Sequence, residues 1–208
     1  MGIPRGPRRL RELFDDSPTP HIAHRPRTHH RDYYVATDGS FSPSGAGLGV
    51  VIEDAEGEVV ARRALGDDSP DNNVAEYRAL HLGLDTLAAR APRTARVGVL
   101  VDHDDLAGNV NSAVIAGRSP EYEPLAPLSI PPAAGHHWRG IRARIAGFGE
   151  LRAARIDSRA NPAHPLANTP EEYGHVNTGP RECPVPWTTA GEAQIPPPSR
   201  AERRQAGD

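Results

Sequence analysis

The sequence predicts an α/β fold in which a mixed, five-stranded sheet is flanked by helices. Three β-prone segments come first, at residues 33–37, 45–53 and 58–65, and the later ones alternate with helical segments. Residues 97–101 (V-G-V-L-V) are uniformly apolar, which is typical of a strand buried on both faces of a sheet. The order β-β-β-α-β-α, then α-β-α, predicts a mixed sheet whose first three strands are antiparallel.

A turn and a long helix follow from local patterns. Glu56-Gly57 separates the second and third strands, and such a turn between β-prone segments favours a hairpin. Pro92 ends the helix that follows, which spans residues 73–89. This helix is predicted from apolar side chains that recur at helical spacing, namely Val74, Tyr77, Leu80, Leu84 and Leu87.

The second half of the chain has shorter elements. Residues 106–116 are predicted to form a second helix, and residues 118–136 form a Pro-rich insertion too broken to be regular. Three elements complete the fold: a helix at 138–148, a strand at 151–156, and a last helix at 162–168 with Pro at its start.

Proline and charge divide the chain into three parts. Only 3 of the 22 prolines lie in residues 32–117, which carry 6 Arg against 14 acidic residues. Residues 1–31 carry 7 Arg against 3 acidic residues. We therefore expect a basic, Pro- and His-rich arm over residues 1–31, a folded domain over 32–168 and a Pro-rich tail over 169–208, with both ends disordered.

Composition excludes several classes of protein. No apolar stretch approaches the ~20 residues of a membrane helix, and the Arg-rich start lacks the apolar segment of a signal peptide. Cys183 is the single cysteine, which excludes an internal disulfide framework and a Cys-based zinc finger. We expect a soluble, reduced, cytoplasmic protein without a membrane partner.

Three acidic residues stand where a sheet can gather them. Asp38 ends the first strand, Asp102 follows the strand at 97–101, and Glu76 lies in the first turn of the long helix. Each has a local explanation: a turn at Asp38, a helix cap at Asp102, and a capping box from Asn73 to Glu76. Alternatively, the two aspartates meet at the sheet's carboxyl edge, and Glu76 faces them from the helix.

Such a cluster predicts a metal site, because an unpaired buried carboxylate is costly. Mg²⁺ or Mn²⁺ held by carboxylate oxygens relieves that cost. Two such ions about 4 Å apart activate a water and stabilise a leaving oxygen in phosphodiester hydrolysis.

The ordered motifs of this chain resemble those of type 1 ribonuclease H, as in a divergent prokaryotic or archaeal member. They are T-D-G-S at residues 37–40, G-x-G-x-G-V-V at 45–51, N-N-V-A-E-Y at 72–77 and V-D at 101–102. The resemblance covers residues 33 to about 168. It implies the three-layer ribonuclease H-like fold and two-metal hydrolysis of the RNA strand of RNA–DNA hybrids.

The resemblance also implies roles for single residues. Asp38, Glu76 and Asp102 map onto the metal-binding catalytic carboxylates. Four positions map onto substrate contacts, through backbone groups near the RNA strand or amides in the minor groove, where 2′-hydroxyls distinguish RNA: Gly39, Ser40, Asn72 and Asn73. Helix capping is the alternative role for the two asparagines.

The last motif departs from the family. In N-P-A-H-P-L-A-N, residues 161–168, His164 stands where a fourth carboxylate is expected. As a catalytic residue, His164 would ligate a softer ion such as Mn²⁺ or move protons near the leaving group. Two alternatives stay open: the fourth position has decayed and activity is low, or His164 is an exposed helix residue.

Phosphate-binding charge is also sparse in the predicted domain. The insertion at 118–136 has one Arg and two Glu, although phosphate neutralisation usually dominates nucleic-acid affinity. We expect the missing charge to come from the arm at 1–31 or from Arg139, Arg142 and Arg144 on the late helix.

The sequence therefore favours a metal-dependent endoribonuclease that binds RNA–DNA hybrids. One alternative is a catalytically weak or inactive ribonuclease H-like module that binds nucleic acid. Another is a related nuclease with a different substrate, for which the fold and the metal ligands would be the same.

Overall fold

A computed structural model describes residues 8–21, 30–43, 45–119, 121–123 and 128–177 of the 208-residue chain. Among these residues, no helix combines the length and the apolar character needed to cross a membrane. The helices and strands, in chain order, are α1 (Leu10–Asp16), β1 (Tyr33–Ser42), β2 (Gly45–Asp54), β3 (Val59–Asp67), α2 (Asn72–Ala88), β4 (Arg96–Val101), α3 (Asp104–Arg118), α4 (Gly135–Gly147), β5 (Glu150–Arg155) and α5 (His164–Asn168).

The five strands form one mixed sheet in the order β3-β2-β1-β4-β5. β2 is antiparallel to both β1 and β3, whereas β4 is parallel to β1 and β5 is parallel to β4. The predicted fold class is confirmed. In the parallel register, Ala36 of β1 lies beside Leu100 of β4. Asp38 and Asp102 each follow these residues by two positions, so they lie at the same edge of the sheet.

Helices cover both faces of the sheet and give three layers. Consecutive strand residues point to opposite faces. Val35 therefore packs in the cluster that contains residues of α2, α3 and α4. Tyr34 and Ala36 pack in the second cluster, with residues of α1 and α5. α1, α2, α3 and α5 bury apolar sides against the sheet, whereas α4 packs against α2 and α3. This burial supplies the main stabilisation of such a domain.

The N-terminal segment, expected to be disordered, contains a packed helix. Leu10, Leu13 and Phe14 of α1 are buried, and their i, i+3, i+4 spacing places them on one side of the helix. The Phe14 ring packs edge-on against Tyr34, with the ring centroids 5.6 Å apart. The expected disorder is therefore wrong for residues 10–16. The many Pro and Arg residues of this segment favour disorder, but three apolar residues at helical spacing are enough to pack a short helix on the sheet. Residues 1–7 and 22–29 lie outside the described residues.

The beginning of the C-terminal segment also packs on the sheet. Asn177 ends a short 3-10 turn, and its side chain accepts from the Ala64 N–H at 2.9 Å and donates to the Ala64 carbonyl at 2.7 Å. This amide pairs with the outer edge of β3, so the expected disorder does not hold for residues 169–177. Residues 178–208 lie outside the described residues.

The Pro-rich insertion contains the start of α4. This helix begins at Gly135 rather than at residue 138, directly after a 3-10 turn at Pro132–Ala134. Proline at the start of a helical turn has no N–H to leave unpaired, which explains how a proline-rich segment leads into the helix.

Two glycines let helix ends approach the sheet closely. A Cβ atom on Gly39 would lie 2.2 Å from the backbone carbon of Ala75 in α2. A Cβ atom on Gly49 would lie 2.2 Å from the carbonyl oxygen of Ala163, just before α5. Gly49 lies opposite Asp38 in the β1–β2 register. The two close contacts therefore bring the starts of α2 and α5 to the sheet around Asp38.

Candidate metal centre

Three potential ligands meet where the parallel pairing of β1 with β4 ends, just beyond Ala36 and Leu100. Asp38 does not end its strand as predicted, because β1 continues to Ser42 in its pairing with β2. Asp38 lies in β1, Asp102 directly follows β4, and His164 begins α5. One carboxylate oxygen of each aspartate and one ring nitrogen of His164 lie within 4.8 Å of one another. His164 Nδ1 is 3.0 Å from Asp38 Oδ2. Asp38 is buried, Asp102 is half-buried and the His164 ring is exposed, so the group opens toward solvent on one side.

Glu76 lies beside this group and is buried, with 3% of its surface exposed. Glu76 belongs to the first turns of α2. Because Gly39 has no side chain, this part of α2 can lie directly against β1. Within the described structure, Oε2 of Glu76 is buried and has no hydrogen-bond partner. A buried acceptor without a partner costs free energy, and a bound cation would remove that cost.

Burial and like charges raise the pKa values of Asp38 and Glu76. Burial, followed by the charge of Asp102, raises the pKa of Asp38 to about 7, while His164 opposes the shift. Burial, followed by the charges of Asp102 and Asp38, raises the pKa of Glu76 to about 10, and the Gly39 backbone N–H opposes it. Three carboxylates in one partly buried site cannot all ionise without a counter-charge. Their oxygens and one imidazole nitrogen suit Mg²⁺ or Mn²⁺.

The local explanations by helix capping are wrong. Asp71 is the N-cap of α2, and its side chain accepts from the Val74 N–H at 2.9 Å. Asn73 and Glu76 therefore do not form the capping box, and Asn72 is not the cap. His103 is the N-cap of α3, since Nδ1 accepts from the backbone N–H of Leu106 at 3.3 Å. The carboxylates of Glu76 and Asp102 therefore cap neither helix, and both belong to the acidic cluster.

Asn72 and Asn73 are both exposed in the first turn of α2, close in sequence to Glu76. The Oδ1 atom of Asn73 lies 3.0 Å from His103 Nε2. Because His103 Nδ1 accepts from Leu106, Nε2 carries the ring proton and donates to Asn73. This bond orients the Asn73 amide, and the sequence contained no local signal for it.

Gly39 lies against the start of α2, whereas its neighbour Ser40 contacts α5. The Ser40 hydroxyl donates to the Ala167 carbonyl at 2.6 Å and so attaches β1 to α5. Gly39 is buried. The substrate contacts implied for these two residues involve backbone groups and stay a prediction.

Two asparagines that were not singled out from the sequence hold His164 in place. Asn161 donates to the Thr37 carbonyl at 2.9 Å and accepts from the Ala163 N–H at 3.0 Å. Asn168 Nδ2 lies 2.8 Å from His164 Nε2. An Asn two residues before a backbone N–H is a known turn pattern, so Asn161 carried a usable signal. The contact between Asn168 and His164 forms because the two residues are one helical turn apart on α5.

Comparisons with known proteins relate this fold to solved structures. No protein-family model matches the chain, and no curated protein matches its sequence. The N-terminal RNase H domain from a Mycobacterium tuberculosis protein is 24% identical, with a TM-score of 0.50 over 65% of this chain and 95% of that one. RNase H1 from Halobacterium salinarum NRC-1 is 19% identical, with a TM-score of 0.51 over 68% and 98%. LC11-RNase H1, isolated from compost by a metagenomic approach, is 22% identical, with a TM-score of 0.51 over 70% and 99%.

Proposed function

We propose that this chain, whose fold is confirmed as that of type 1 ribonuclease H, is a metal-dependent endoribonuclease that hydrolyses the RNA strand of RNA–DNA hybrids. The observation that carries the proposal is the group formed by Asp38, Asp102 and His164, beside which Glu76 is close enough to interact with both aspartates and has a buried oxygen without a hydrogen-bond partner among the described residues. The solved structures that share the fold are named as ribonucleases H, which supports the same chemistry here.

The donor set fits two divalent ions, Mg²⁺ or Mn²⁺. Asp38, Glu76 and Asp102 would hold them, with His164 as a nitrogen donor in the fourth position. When bound, such ions supply an activated water and stabilise charge on the leaving oxygen.

The chain's own residues hold these donors in place before substrate arrives. His164 Nδ1 faces Asp38 Oδ2, and the Gly39 N–H orients Glu76. Asn161 donates to the Thr37 carbonyl in β1, next to Asp38, and so holds this part of the strand in place. Such supporting hydrogen bonds keep metal ligands in one orientation and reduce the reorganisation needed in the reaction.

The substrate surface extends from the metal centre along the start of α2. The amides of Asn72 and Asn73 are exposed there, and that of Asn73 is oriented by His103. Amide groups can hydrogen-bond the 2′-hydroxyls that distinguish RNA from DNA in the minor groove. These two residues are therefore the proposed readers of the RNA strand.

Phosphate contacts are proposed for Arg139 and Arg142, which are exposed on α4. Arg144 is less available, because its Nε atom lies 2.6 Å from Asp85 Oδ1. In the N-terminal segment, Arg8 pairs with Asp16, and Arg11 donates to the Ala55 carbonyl at 3.3 Å. Replacing an arginine that neutralises a phosphate should reduce the salt dependence of hybrid binding by about one charge.

The direct test is cleavage of end-labelled RNA–DNA hybrid, duplex RNA and duplex DNA in Mg²⁺ and in Mn²⁺. We expect the wild-type chain to cut the RNA of the hybrid, and Asp38→Asn to abolish cleavage. Asp68→Asn, at an exposed acidic residue, is the matched control and should cut like the wild type. Absence of cleavage in both metals would refute the enzymatic proposal.

A catalytically weak or inactive binding module is the second candidate, and His164 in the fourth ligand position is the observation that favours it. Hybrid binding without cleavage in either metal would support this module. Preferred cutting of duplex RNA or duplex DNA would instead indicate a related nuclease with another substrate.

A further inference from the structure

Three histidines meet where α2 packs against α4, apart from the carboxylate cluster. The ring centroids of His81 and His137 are 5.4 Å apart, those of His136 and His137 are 5.6 Å apart, and those of His81 and His136 are 6.5 Å apart. All three pairs meet edge to face. His81 follows Glu76 by five residues on α2, a spacing that places the two side chains on different sides of the helix.

The closest contact in this histidine cluster has the spacing of two ligands on one ion. His81 Nδ1 and His137 Nδ1 are 3.2 Å apart. With Zn–N distances of about 2.0–2.1 Å, two nitrogens on a tetrahedral zinc ion lie about 3.3 Å apart. In the metal-free chain this contact is a hydrogen bond between the two rings, which a bound ion would replace. The His136 ring lies beside them, with its centroid 5.6 Å from that of His137, and is the third potential donor.

Asp85 orients the His81 ring from the other side. Asp85 Oδ2 lies 3.6 Å from His81 Nε2, and Asp85 Oδ1 lies 2.6 Å from Arg144 Nε. At 3.6 Å the carboxylate acts on Nε2 by charge and not by a hydrogen bond, and its negative charge favours the proton on that nitrogen, which leaves the lone pair on the other. For His81, that lone pair is on Nδ1, the atom that faces His137.

The backbone of α4 makes room for this ring. A Cβ atom on Gly140 would lie 2.0 Å from His81 Nε2. Glycine is unfavourable inside a helix, and at this position its missing side chain admits the His81 ring against the helix. The His81 side chain is 20% exposed, so it is held by packing and is still open to an ion.

The surrounding charge permits a neutral imidazole. Neutral imidazole is the form that ligates metals. The guanidinium of Arg78 is paired with Asp67, with Nη1 and Oδ1 3.0 Å apart, so its charge is compensated next to the cluster.

We propose that His81, His136 and His137 form a binding site for a transition-metal dication of the zinc class, with Asp85 as the residue that orients His81. Imidazole nitrogens suit Zn²⁺ rather than Mg²⁺, so the site is chemically distinct from the carboxylate cluster. A bound ion would join α2 to α4.

Zinc binding to the full-length chain tests this site, in an Asp38→Asn/Asp102→Asn background that removes the carboxylate ligands. Titration against a chromophoric chelator should show one Zn²⁺ bound per chain. We expect His137→Asn to lower the affinity by more than about 100-fold, and Asp85→Asn to lower it by about 10- to 100-fold. His175→Asn, at an exposed histidine outside the cluster, should leave it unchanged.

His136→Asn guards against a folding artefact, because His136 is exposed and its replacement should lower the affinity without lowering the melting temperature of the metal-free chain. The visible absorption of Co²⁺ bound at this site should lose intensity in His136→Asn and His137→Asn, because each variant lacks one nitrogen ligand. Zinc affinity unchanged in His137→Asn, or lost only when His29 and His30 of the N-terminal segment are replaced, would overturn the proposal.

Discussion

Asp38 and Glu76 hold protons because the fold places them beside Asp102 in a partly buried site. A group whose pKa is higher in the folded state than in the unfolded chain makes the folded state bind more protons over the interval between the two values. Stability then falls as pH rises through that interval. At the residue scale, the cluster is therefore unfavourable for the metal-free fold at neutral pH.

We expect the metal-free chain to lose stability from about pH 4 to about pH 7 as Asp38 ionises, because its pKa in the folded state is about 7. Glu76, with a pKa of about 10, extends the loss to higher pH. Urea unfolding at a series of pH values, in a chelator and in Mg²⁺, measures this. Asp38→Asn should flatten the slope below pH 7, and Mg²⁺ should restore stability at pH 8. A pH-independent wild type would contradict the predicted cluster energetics.

His164 is expected to support catalysis through its contact with Asp38 Oδ2. Removal of a group that orients a metal ligand typically costs about 10- to 100-fold in activity, and we expect that reduction in hybrid cleavage by His164→Ala. His175→Ala is the control. Unchanged activity in His164→Ala would favour the interpretation of an exposed helix histidine.

The reciprocal change, His164→Asp, supplies the harder oxygen ligand that Mg²⁺ prefers. We expect the ratio of cleavage rates in Mg²⁺ and Mn²⁺ to rise in this variant. If the ratio stays that of the wild type, His164 is not a metal ligand.

At the scale of elements, the approach of α2 to β1 positions Glu76. Gly39→Ala would place a Cβ atom 2.2 Å from backbone atoms of Ala75, so α2 must move. We expect a decrease of about 1–3 kcal/mol in the free energy of unfolding, together with a loss of hybrid cleavage. Gly66→Ala is the matched control, since a Cβ on this β3 glycine meets nothing within 4 Å. Equal behaviour of the two variants in thermal melts and cleavage assays would refute the positioning role.

Asn111 attaches α3 to the edge strand β5. Its side chain accepts from the Ala153 N–H and donates to the Ala153 carbonyl, each at 2.8 Å, and it is completely buried. Asn111→Leu leaves both backbone groups unpaired, so we expect the free energy of unfolding to fall on the order of 3 kcal/mol. Urea denaturation measures this, and a change below about 1 kcal/mol would show that water replaces the amide.

At the scale of the whole molecule, α1 completes the face of the sheet that α5 covers only in part, because α5 has five residues. Phe14→Ala removes a buried ring that packs on Tyr34. We expect a decrease of about 3–5 kcal/mol in the free energy of unfolding. Glu12→Gln, on the exposed side of the same helix, should have little effect. A Phe14→Ala chain as stable as the wild type would show that α1 is dispensable.

Deleting residues 1–31 would therefore test two properties at once, charge and packing. Arginine-to-glutamine changes at Arg139 and Arg142, which are exposed on α4, instead test the phosphate contacts proposed for α4 and leave the packing of α1 intact. The salt dependence of hybrid binding then reports on phosphate contacts alone.

The strands and helices of the central region followed from the sequence, because their signals are local. Residues 97–101 became β4 and the helix predicted at 73–89 became α2, since apolar periodicity is set within a few residues. The ordered motifs around Asp38, Glu76 and Asp102 carried the resemblance to type 1 ribonuclease H, and the fold that it implied is confirmed by structural likeness. Their assignment as ligands stays a prediction.

Contacts between distant residues were decided by the tertiary structure alone. The packing of α1 on the sheet, the contact of His164 with Asp38 and the meeting of His81 with His137 join residues far apart in the chain. Each depends on strand register and on how helices cross the sheet, which no local pattern encodes. The cap of α2 was also decided by the folded backbone: Asp and Asn both suit a helix N-terminus, and the helix begins at Asn72, which makes Asp71 its N-cap.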